Sequence, residues 1–153
     1  MSQPTSSHAY GIGMIALLVG MSVTIVFYTS FYLPESLLKP SVSEEILEPT
    51  DVLIIDIVEG AAIMGNDNYV PNNVVALLGE NNKVLWTNSD GAAHTVTPDH
   101  EQVDSYNGEF GSTGLILAGE TYEFVFTEPQ EFSYHCEPHP WMKGSISVEE
   151  SRF

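Results

Sequence analysis

The sequence predicts an all-β domain behind a single N-terminal transmembrane helix. The first observation is an uncharged, apolar run at residues 9–33. The second is a series of short β-type runs that begins at Asp51 and is interrupted by regularly spaced turn signals. Such spacing is typical of a sandwich or barrel, and no segment after residue 51 has a convincing helical period. A chain of 153 residues fits one domain with an appendage.

The apolar run at 9–33 is long enough to cross a bilayer, because a helix rises about 1.5 Å per residue and the hydrocarbon core is about 30 Å thick. Tyr10, Tyr28 and Tyr32 lie near its two ends, where aromatic rings favour the membrane interface. A cleaved signal peptide is the alternative, but no Lys or Arg precedes the run. We therefore expect a tail at 1–8 and an uncleaved span at 9–33.

A proline- and glutamate-rich stretch at 34–50 separates the span from the β-type runs. This composition predicts a semi-extended, charged linker. The domain is expected at 51–150, and residues 151–153 form a short tail. Residues 98–113, a polar stretch between strand-like runs, are expected to form a surface loop.

The net charge of −17, from 21 acidic against 4 basic residues, makes nucleic acid an improbable class of partner because phosphate binding needs a basic surface. The charge fits either solubility in a salty medium or electrostatic steering of a basic partner, and both remain open. The chain has one cysteine, which excludes an internal disulfide and any metal site that needs two thiolates from one chain.

That cysteine lies in YHCEPHPWMKG, residues 134–144, where Cys136, His139 and Met142 are spaced C-x-x-H-x-x-M. Three donors on one short loop can converge on an ion if a strand ends at the cysteine and the chain turns back. Strand-like runs flank the loop, and its prolines interrupt regular pairing. His94 begins another strand after the turn-like NSDGAA and is the best candidate for a fourth donor.

A thiolate, two imidazoles and a thioether form a soft donor set, which does not suit Mg²⁺ or Ca²⁺, and zinc has little use for a thioether. One cysteine and two histidines with a weak axial methionine are the ligands of a blue-copper electron-transfer centre. The sulfur donors suit Cu(I), imidazole suits both oxidation states, and a fixed intermediate geometry keeps reorganisation small.

This loop resembles the copper loop of the cupredoxins, the plastocyanin and amicyanin group, and its YHC opening and HP-aromatic-M ending are closest to amicyanin. The stretches YVPNNVVALLGENNKVLWTNSDGAAHTVT and GLILAGETYEFVFTEPQEFSYHC are also similar to the family pattern, so the resemblance covers residues 51–150. It implies a cupredoxin-like Greek-key β-sandwich with one type 1 copper. It also implies strong ligation by His94, Cys136 and His139, with Met142 as the axial ligand.

Two residues depart from the family pattern. An Asn usually follows the first histidine and joins the two ligand loops, whereas this chain has Thr95, whose side chain is shorter. A Ser or Thr often follows the cysteine, whereas this chain has Glu137. Groups around the ligands orient them and tune the metal. A Glu137 carboxylate that pointed inward would favour Cu(II) and lower the reduction potential.

Other prominent side chains are expected to play no part in binding the metal. Strand alternation turns His135 away from the face of Cys136. His100 lies in an acidic stretch and is expected in a solvated loop, and Trp86 is expected in the core. Trp141, inside the ligand loop, would extend an apolar patch around His139.

The predicted function is one-electron transfer between membrane-associated redox partners that dock near His139 and Trp141. The chain is not expected to be an enzyme or to bind a small-molecule substrate, because four protein donors leave no open position and no acid–base pair is evident. A copper-delivery module and a copper subunit of a larger membrane oxidase complex are the alternatives. Charge bias does not fix the topology, since 1–8 has no Lys or Arg and Lys39 argues weakly for the opposite direction. The expected function favours a single-pass protein of the cell membrane with the copper domain on the extracytoplasmic side.

Overall fold

The computed structural model describes residues 7–36 and 41–151, and it divides the chain into two units at 1–39 and 40–153. Three of the predicted segments extend beyond the residues that the structure describes. Residues 1–6 of the tail, 37–40 of the linker and 152–153 at the C terminus lie outside the described residues.

The N-terminal unit is helical. It consists of α1 (Ser7–Phe27), a π-helical turn (Tyr28–Tyr32) and α2 (Leu33–Ser36). The stretch Tyr10–Glu35 is long and apolar enough to cross a membrane, by length and composition, and none of it is buried. The helix therefore continues past the predicted boundary at residue 33.

The second unit is a two-sheet sandwich, which confirms the predicted cupredoxin-like fold. Its strands and short helix, in chain order, are α3 (Glu44–Leu47), β1 (Val52–Ile57), β2 (Tyr69–Val70), β3 (Asn73–Leu77), β4 (Lys83–Asn88), β5 (Thr97–Pro98), β6 (Val103–Asp104), β7 (Gly108–Glu109), β8 (Thr121–Val125), β9 (Glu131–His135) and β10 (Lys143–Glu149). One sheet has the order β2-β1-β4-β8 and the other β3-β10-β9-β5. The β1–β4 and β3–β10 pairs are parallel, and the other pairs within the two sheets are antiparallel.

The core lies between the sheets and is rich in aromatic rings. Alternation along β4, β8 and β9 turns every second side chain inward, as the sequence predicts. Trp86, Phe126, Phe132 and Tyr134 are fully buried. Complete burial of a large apolar side chain contributes about 1.5–3 kcal/mol, so these rings anchor the two sheets to each other.

The strand directions bring the predicted ligands to one end of the sandwich. The chain leaves β9 at His135 and returns at Lys143, which pairs with it. Thr97 of β5 also pairs with His135, and His94 lies just before β5. The end of the sandwich that carries these residues is called the ligand end below.

The predicted extended linker differs from the structure at residues 41–50. Part of this stretch forms α3, and the backbone oxygen of Ile46 accepts a 2.8 Å hydrogen bond from the buried side-chain amide of Asn82. The backbone oxygen of Glu80 accepts bonds from the Thr50 hydroxyl and the Asp51 N–H. Residues 41–50 are thereby held against the domain at the starts of β1 and β4, the end opposite the ligands.

The stretch 98–113 is more ordered than the predicted surface loop. It contains the β6–β7 hairpin, in which the buried carboxylate of Asp104 accepts hydrogen bonds from the backbone of Tyr106 and from both the N–H and hydroxyl of Thr127. Phe110 packs into the core. The following run, GLILAGE, forms only an isolated bridge between His94 and Ile116.

Candidate metal centre

Three of the four predicted donors converge at the ligand end. The Cys136 sulfur lies 3.6 Å from Nδ1 of His94 and 3.5 Å from Nδ1 of His139. The donor atoms of these residues all lie within 4.8 Å of one another. His94, Cys136 and His139 are therefore placed to bind one metal ion.

The ligand loop is folded by its own backbone. The N–H of His139 donates to the oxygen of Cys136 at 3.0 Å, and the N–H of Met142 donates to the oxygen of His139 at 2.9 Å. The N–H of Cys136 closes the loop by donating to the oxygen of Met142 at 3.2 Å. These bonds draw Met142 back beside the cysteine, and its side chain is fully buried. Axial ligation by Met142 remains a prediction.

Solvent reaches the centre at one side chain. His94, Cys136 and Met142 are 0% exposed, whereas His139 is partly exposed. The ring of Trp141 makes an edge-to-face contact with His139 at a centroid distance of 5.3 Å. Burial, and then repulsion from His94, lowers the pKa of His139 below its ordinary value. This favours the neutral imidazole that a metal ion requires.

The carboxylate of Asp90 contacts the ring of His94 on the side away from the Cys136 sulfur. Asp90 Oδ2 lies 2.8 Å from Nε2 of His94, and because Nδ1 faces the sulfur we assign the ring proton to Nε2. The same carboxylate accepts N–H bonds from Gly60, Ala62 and Gly91. Burial alone would raise the pKa of Asp90, but these hydrogen bonds outweigh it and lower the pKa to about 2. A carboxylate at this position fixes the tautomer and raises the basicity of the imidazole.

Thr95 joins the two ligand-bearing segments despite its short side chain. Its N–H points to the Cys136 sulfur at 3.4 Å, and its hydroxyl oxygen accepts the N–H of Glu137 at 2.8 Å. Its backbone oxygen accepts a 2.5 Å bond from the buried hydroxyl of Tyr69. The connection between the two segments is therefore made by Thr95 in place of the Asn that is usual in the family.

The Glu137 side chain is exposed, so the inward carboxylate considered from the sequence is not present. The N–H of Glu137, rather than its side chain, takes part in the network around the cysteine.

The remaining histidines of the domain stay outside the centre, as predicted. His135 pairs with Asp99 at 2.6 Å on the outer face of its strand, and His100 is exposed. Sequence reasoning missed Asp90 and Tyr69. A carboxylate four residues before the first histidine was a usable signal for Asp90, whereas Tyr69 reaches the site only through the tertiary fold.

The donor set fits copper. Two imidazoles and one cysteine sulfur lie together, and the loop that carries the cysteine also carries a buried thioether. This combination of donors is characteristic of type 1 copper. Within the described residues, no other group of three or more His, Cys, Asp or Glu side chains is arranged to hold a metal ion.

Comparison with known proteins also indicates a copper-binding domain. The family described as copper binding proteins, plastocyanin/azurin family, matches residues 59–149. Plastocyanin A/B of Petroselinum crispum is 33% identical over 94 residues, covering 56% of this chain and 95% of the relative. Amicyanin of Paracoccus denitrificans is 36% identical over 67 residues, covering 43% of this chain and 48% of the relative. A solved structure, a novel purple cupredoxin from Nitrosopumilus maritimus, is 29% identical with a TM-score of 0.51, covering 63% of this chain and 99% of that one.

The share of each relative that the chain spans varies. The chain spans about half the length of amicyanin. It spans 56% of the minor and 53% of the major chloroplastic plastocyanin isoform of Arabidopsis thaliana. The family match nevertheless covers β2 to β10 of the sandwich and the ligand loop. The chain therefore belongs to the plastocyanin/azurin family of copper binding proteins.

Proposed function

We propose that the protein is a membrane-anchored one-electron carrier with one type 1 copper ion held by His94, Cys136, His139 and Met142. The observation that carries this proposal is the convergence of two imidazole nitrogens on the Cys136 sulfur at 3.6 and 3.5 Å. When bound, copper supplies the Cu(II)/Cu(I) couple at this point. The function is electron transfer rather than catalysis, since the donors leave no open position for a substrate.

The protein's own groups support a rigid centre. The Thr95 N–H donates toward the sulfur and stabilises negative charge on the thiolate. Asp90 holds the ring of His94, and the backbone bonds of the ligand loop hold His139 and Met142. Buried donors that are fixed in this way need little rearrangement when the charge of the centre changes.

The exposed edge of His139 is the proposed point of electron entry and exit. Pro138 and Pro140 are exposed beside it, and Trp141 is half-buried against its ring. This apolar surface suits a short-lived contact with a redox protein, which needs only a small interface. The net charge of −17 supports steering toward a partner with a basic surface.

Membrane attachment through residues 9–33 is supported by the chemistry of the helix. The hydroxyls of Ser22, Thr24 and Thr29 each donate to the backbone oxygen four residues earlier, so these polar groups are satisfied inside the helix. A bilayer requires such internal satisfaction. We propose that the copper domain faces the extracytoplasmic side of the cell membrane. Reporter activity on the cytoplasmic side from a C-terminal fusion would refute that orientation.

The test of the copper centre uses the full-length protein in detergent with one equivalent of Cu(II). We expect an intense thiolate-to-copper absorption band that bleaches with mild reductant and returns on oxidation. Cys136→Ser should abolish the band, and His135→Asn, a matched change beside the ligand, should keep it. A colourless product that releases copper readily to a chelator would refute the carrier and favour delivery.

The partner test is independent of the spectrum. Detergent extracts are fractionated, and the protein is followed by immunoblotting. An electron shuttle should run apart from large complexes, whereas stable co-purification with a membrane oxidase would favour the subunit alternative.

A further inference from the structure

A chain of tyrosine and tryptophan rings crosses the core from the cysteine to the edge of the first sheet. Tyr69 contacts Tyr134 at a centroid distance of 5.0 Å, and Tyr134 contacts Trp86 at 5.7 Å. Trp86 then contacts Tyr122 at 5.2 Å. Within residues 41–151, these are the ring contacts that join only tyrosine and tryptophan.

The inner end of this chain is bonded to the ligand network. The Tyr69 hydroxyl donates to the backbone oxygen of Thr95, and the N–H of the same threonine points to the Cys136 sulfur. Tyr69 is therefore joined to the cysteine through a single residue. Tyr69 as a whole is 2% exposed, so this end of the chain of rings is shielded from water.

The outer end of the ring chain, Tyr122, is partly open to solvent. Tyr122 is half-buried on β8, at the edge of its sheet, and its hydroxyl accepts the N–H of Gly111 at 3.1 Å. With Ser112, Thr113 and neighbouring residues it lines a surface hollow of about 160 Å³. A hollow of this size admits water and small molecules but not a protein.

The chemistry of these rings differs from that of the phenylalanines packed around them. Tyrosine and tryptophan can each lose one electron to a strong oxidant, whereas phenylalanine cannot under the same conditions. The buried Trp86 N–H and Tyr134 hydroxyl interact with each other and with no other hydrogen-bonding group among the described residues, so no carboxylate or imidazole is beside them to take their protons. Oxidised Trp86 would therefore keep its proton as a radical cation, and Tyr134 would act as a bridging ring.

We propose that Tyr69, Tyr134, Trp86 and Tyr122 form an electron relay that lets the reduced Cys136 centre repair oxidised aromatic residues. The proposal rests on the proposed copper centre as the source of the electron. An oxygen-derived radical in the hollow takes one electron from Tyr122, whose phenolic proton leaves to water. Trp86 then gives one electron to the Tyr122 radical, which takes up a proton from water. The electron lost by Trp86 is replaced from the Cys136 centre through Tyr134 and Tyr69. The oxidant gains one electron, which a Cu(I) ion held by His94, Cys136 and His139 would supply.

The experiment starts the relay at its outer end. A ruthenium polypyridyl photosensitiser is coordinated to a histidine introduced by Thr121→His, an exposed position next to Tyr122. The singly labelled, full-length protein is purified, loaded with copper and reduced. A laser flash with an oxidative quencher produces Ru(III), and the appearance of the Cu(II)–thiolate band gives the rate.

The relay predicts a specific order of effects. Trp86→Phe should lower the rate at which the band appears by about tenfold or more. A tenfold change corresponds to a barrier increase of about 1.4 kcal/mol. Tyr134→Leu, which removes the bridging ring, should lower the rate comparably, whereas Tyr134→Phe should leave the rate nearly unchanged. Phe132→Leu is the matched control, because it removes a core ring outside the relay. Circular dichroism and unfolding midpoints establish that each variant is folded, and unchanged rates in folded Trp86→Phe and Tyr134→Leu would overturn the relay.

A readout in the metal-free protein separates the relay from the copper proposal. There the Cys136 thiol gives up one electron, its proton passes to an adjacent imidazole, and rapid freezing after the flash traps the buried thiyl radical for detection by electron paramagnetic resonance. A flash-dependent thiyl signal that is lost in Trp86→Phe supports the relay even if no blue band forms in any sample. A thiyl signal that does not depend on Trp86 refutes the relay whether or not copper binds.

Discussion

Asp90 and His94 form a buried contact in which a carboxylate oxygen lies 2.8 Å from the ring nitrogen that faces away from the Cys136 sulfur. The same carboxylate accepts backbone N–H groups from Gly60 and Ala62, so it connects the loop after β1 to the metal centre. The orientation of the first histidine is therefore set by residues that never touch the metal.

Replacing Asp90 with Asn should weaken copper binding and raise the reduction potential. The amide provides less negative charge to support the imidazole, so Cu(II) loses more stabilisation than Cu(I). Changes of this kind typically cost about 10- to 100-fold in metal affinity. Chelator competition and protein-film voltammetry provide the measurements. Asp99→Asn, which affects only the pair with His135, is the control, and equal effects of the two substitutions would contradict the assigned role of Asp90.

Replacing Thr95 with Ala should destabilise the domain, whereas Thr95→Ser should retain most of its stability. Alanine removes the acceptor of the Glu137 N–H in a part-buried hydrogen bond, whose net contribution is about 0.5–1.5 kcal/mol. Urea unfolding with and without copper measures the difference. Identical unfolding midpoints for the Ala and Ser variants would show that the hydroxyl does not join the two segments.

Replacing Glu137 with Gln should change the reduction potential less than Asp90→Asn does. The Glu137 side chain is exposed, and water screens its charge from the cysteine. Voltammetry of the two variants in the same buffer makes the comparison. A larger shift for Glu137→Gln would mean that its carboxylate approaches the sulfur after all.

Replacing Asn82 with Ala should be among the more destabilising changes far from the centre. The buried amide donates to the oxygens of Ile46 and Phe126 and accepts the N–H of Gly79. Its removal leaves several buried polar groups unpaired, each costing about 1–3 kcal/mol. The exposed Asn72→Ala is the control in urea unfolding. We expect residues 41–50 to become sensitive to protease in Asn82→Ala alone, and unchanged protection would contradict the docking of this segment.

Electron transfer to a small basic redox protein should slow as salt is added. The net charge of −17 attracts such a partner, and the screening length falls to about 10 Å at 0.1 M ionic strength. Stopped-flow rates across a salt series test this, with an uncharged small-molecule reductant as the control. A rate with the basic protein that does not depend on salt would limit the charge to a role in solubility.

The sequence predicts those features that depend on local pattern. Alternation along the strands correctly turns Trp86 inward and separates His135 from Cys136, and the C-x-x-H-x-x-M spacing correctly brings His139 beside the sulfur. The contacts that escape prediction join distant segments. Tyr69 and Thr95 meet only after the sheets pack, and Asn82 finds Ile46 only when the chain before β1 folds back. Such pairings depend on three-dimensional closure, which periodicity and spacing do not encode.

Because Cys136 is buried, its reactivity reports how often the ligand end of the domain opens. It is the only cysteine in the sequence and is 0% exposed, so a thiol reagent reaches it only when the ligand end opens. In the metal-free protein, the rate of alkylation therefore measures the free energy of that opening, as hydrogen exchange does for a backbone amide. One alkylation time course per variant would rank how strongly Asp90, Thr95 and the ligand loop hold this end of the sandwich closed.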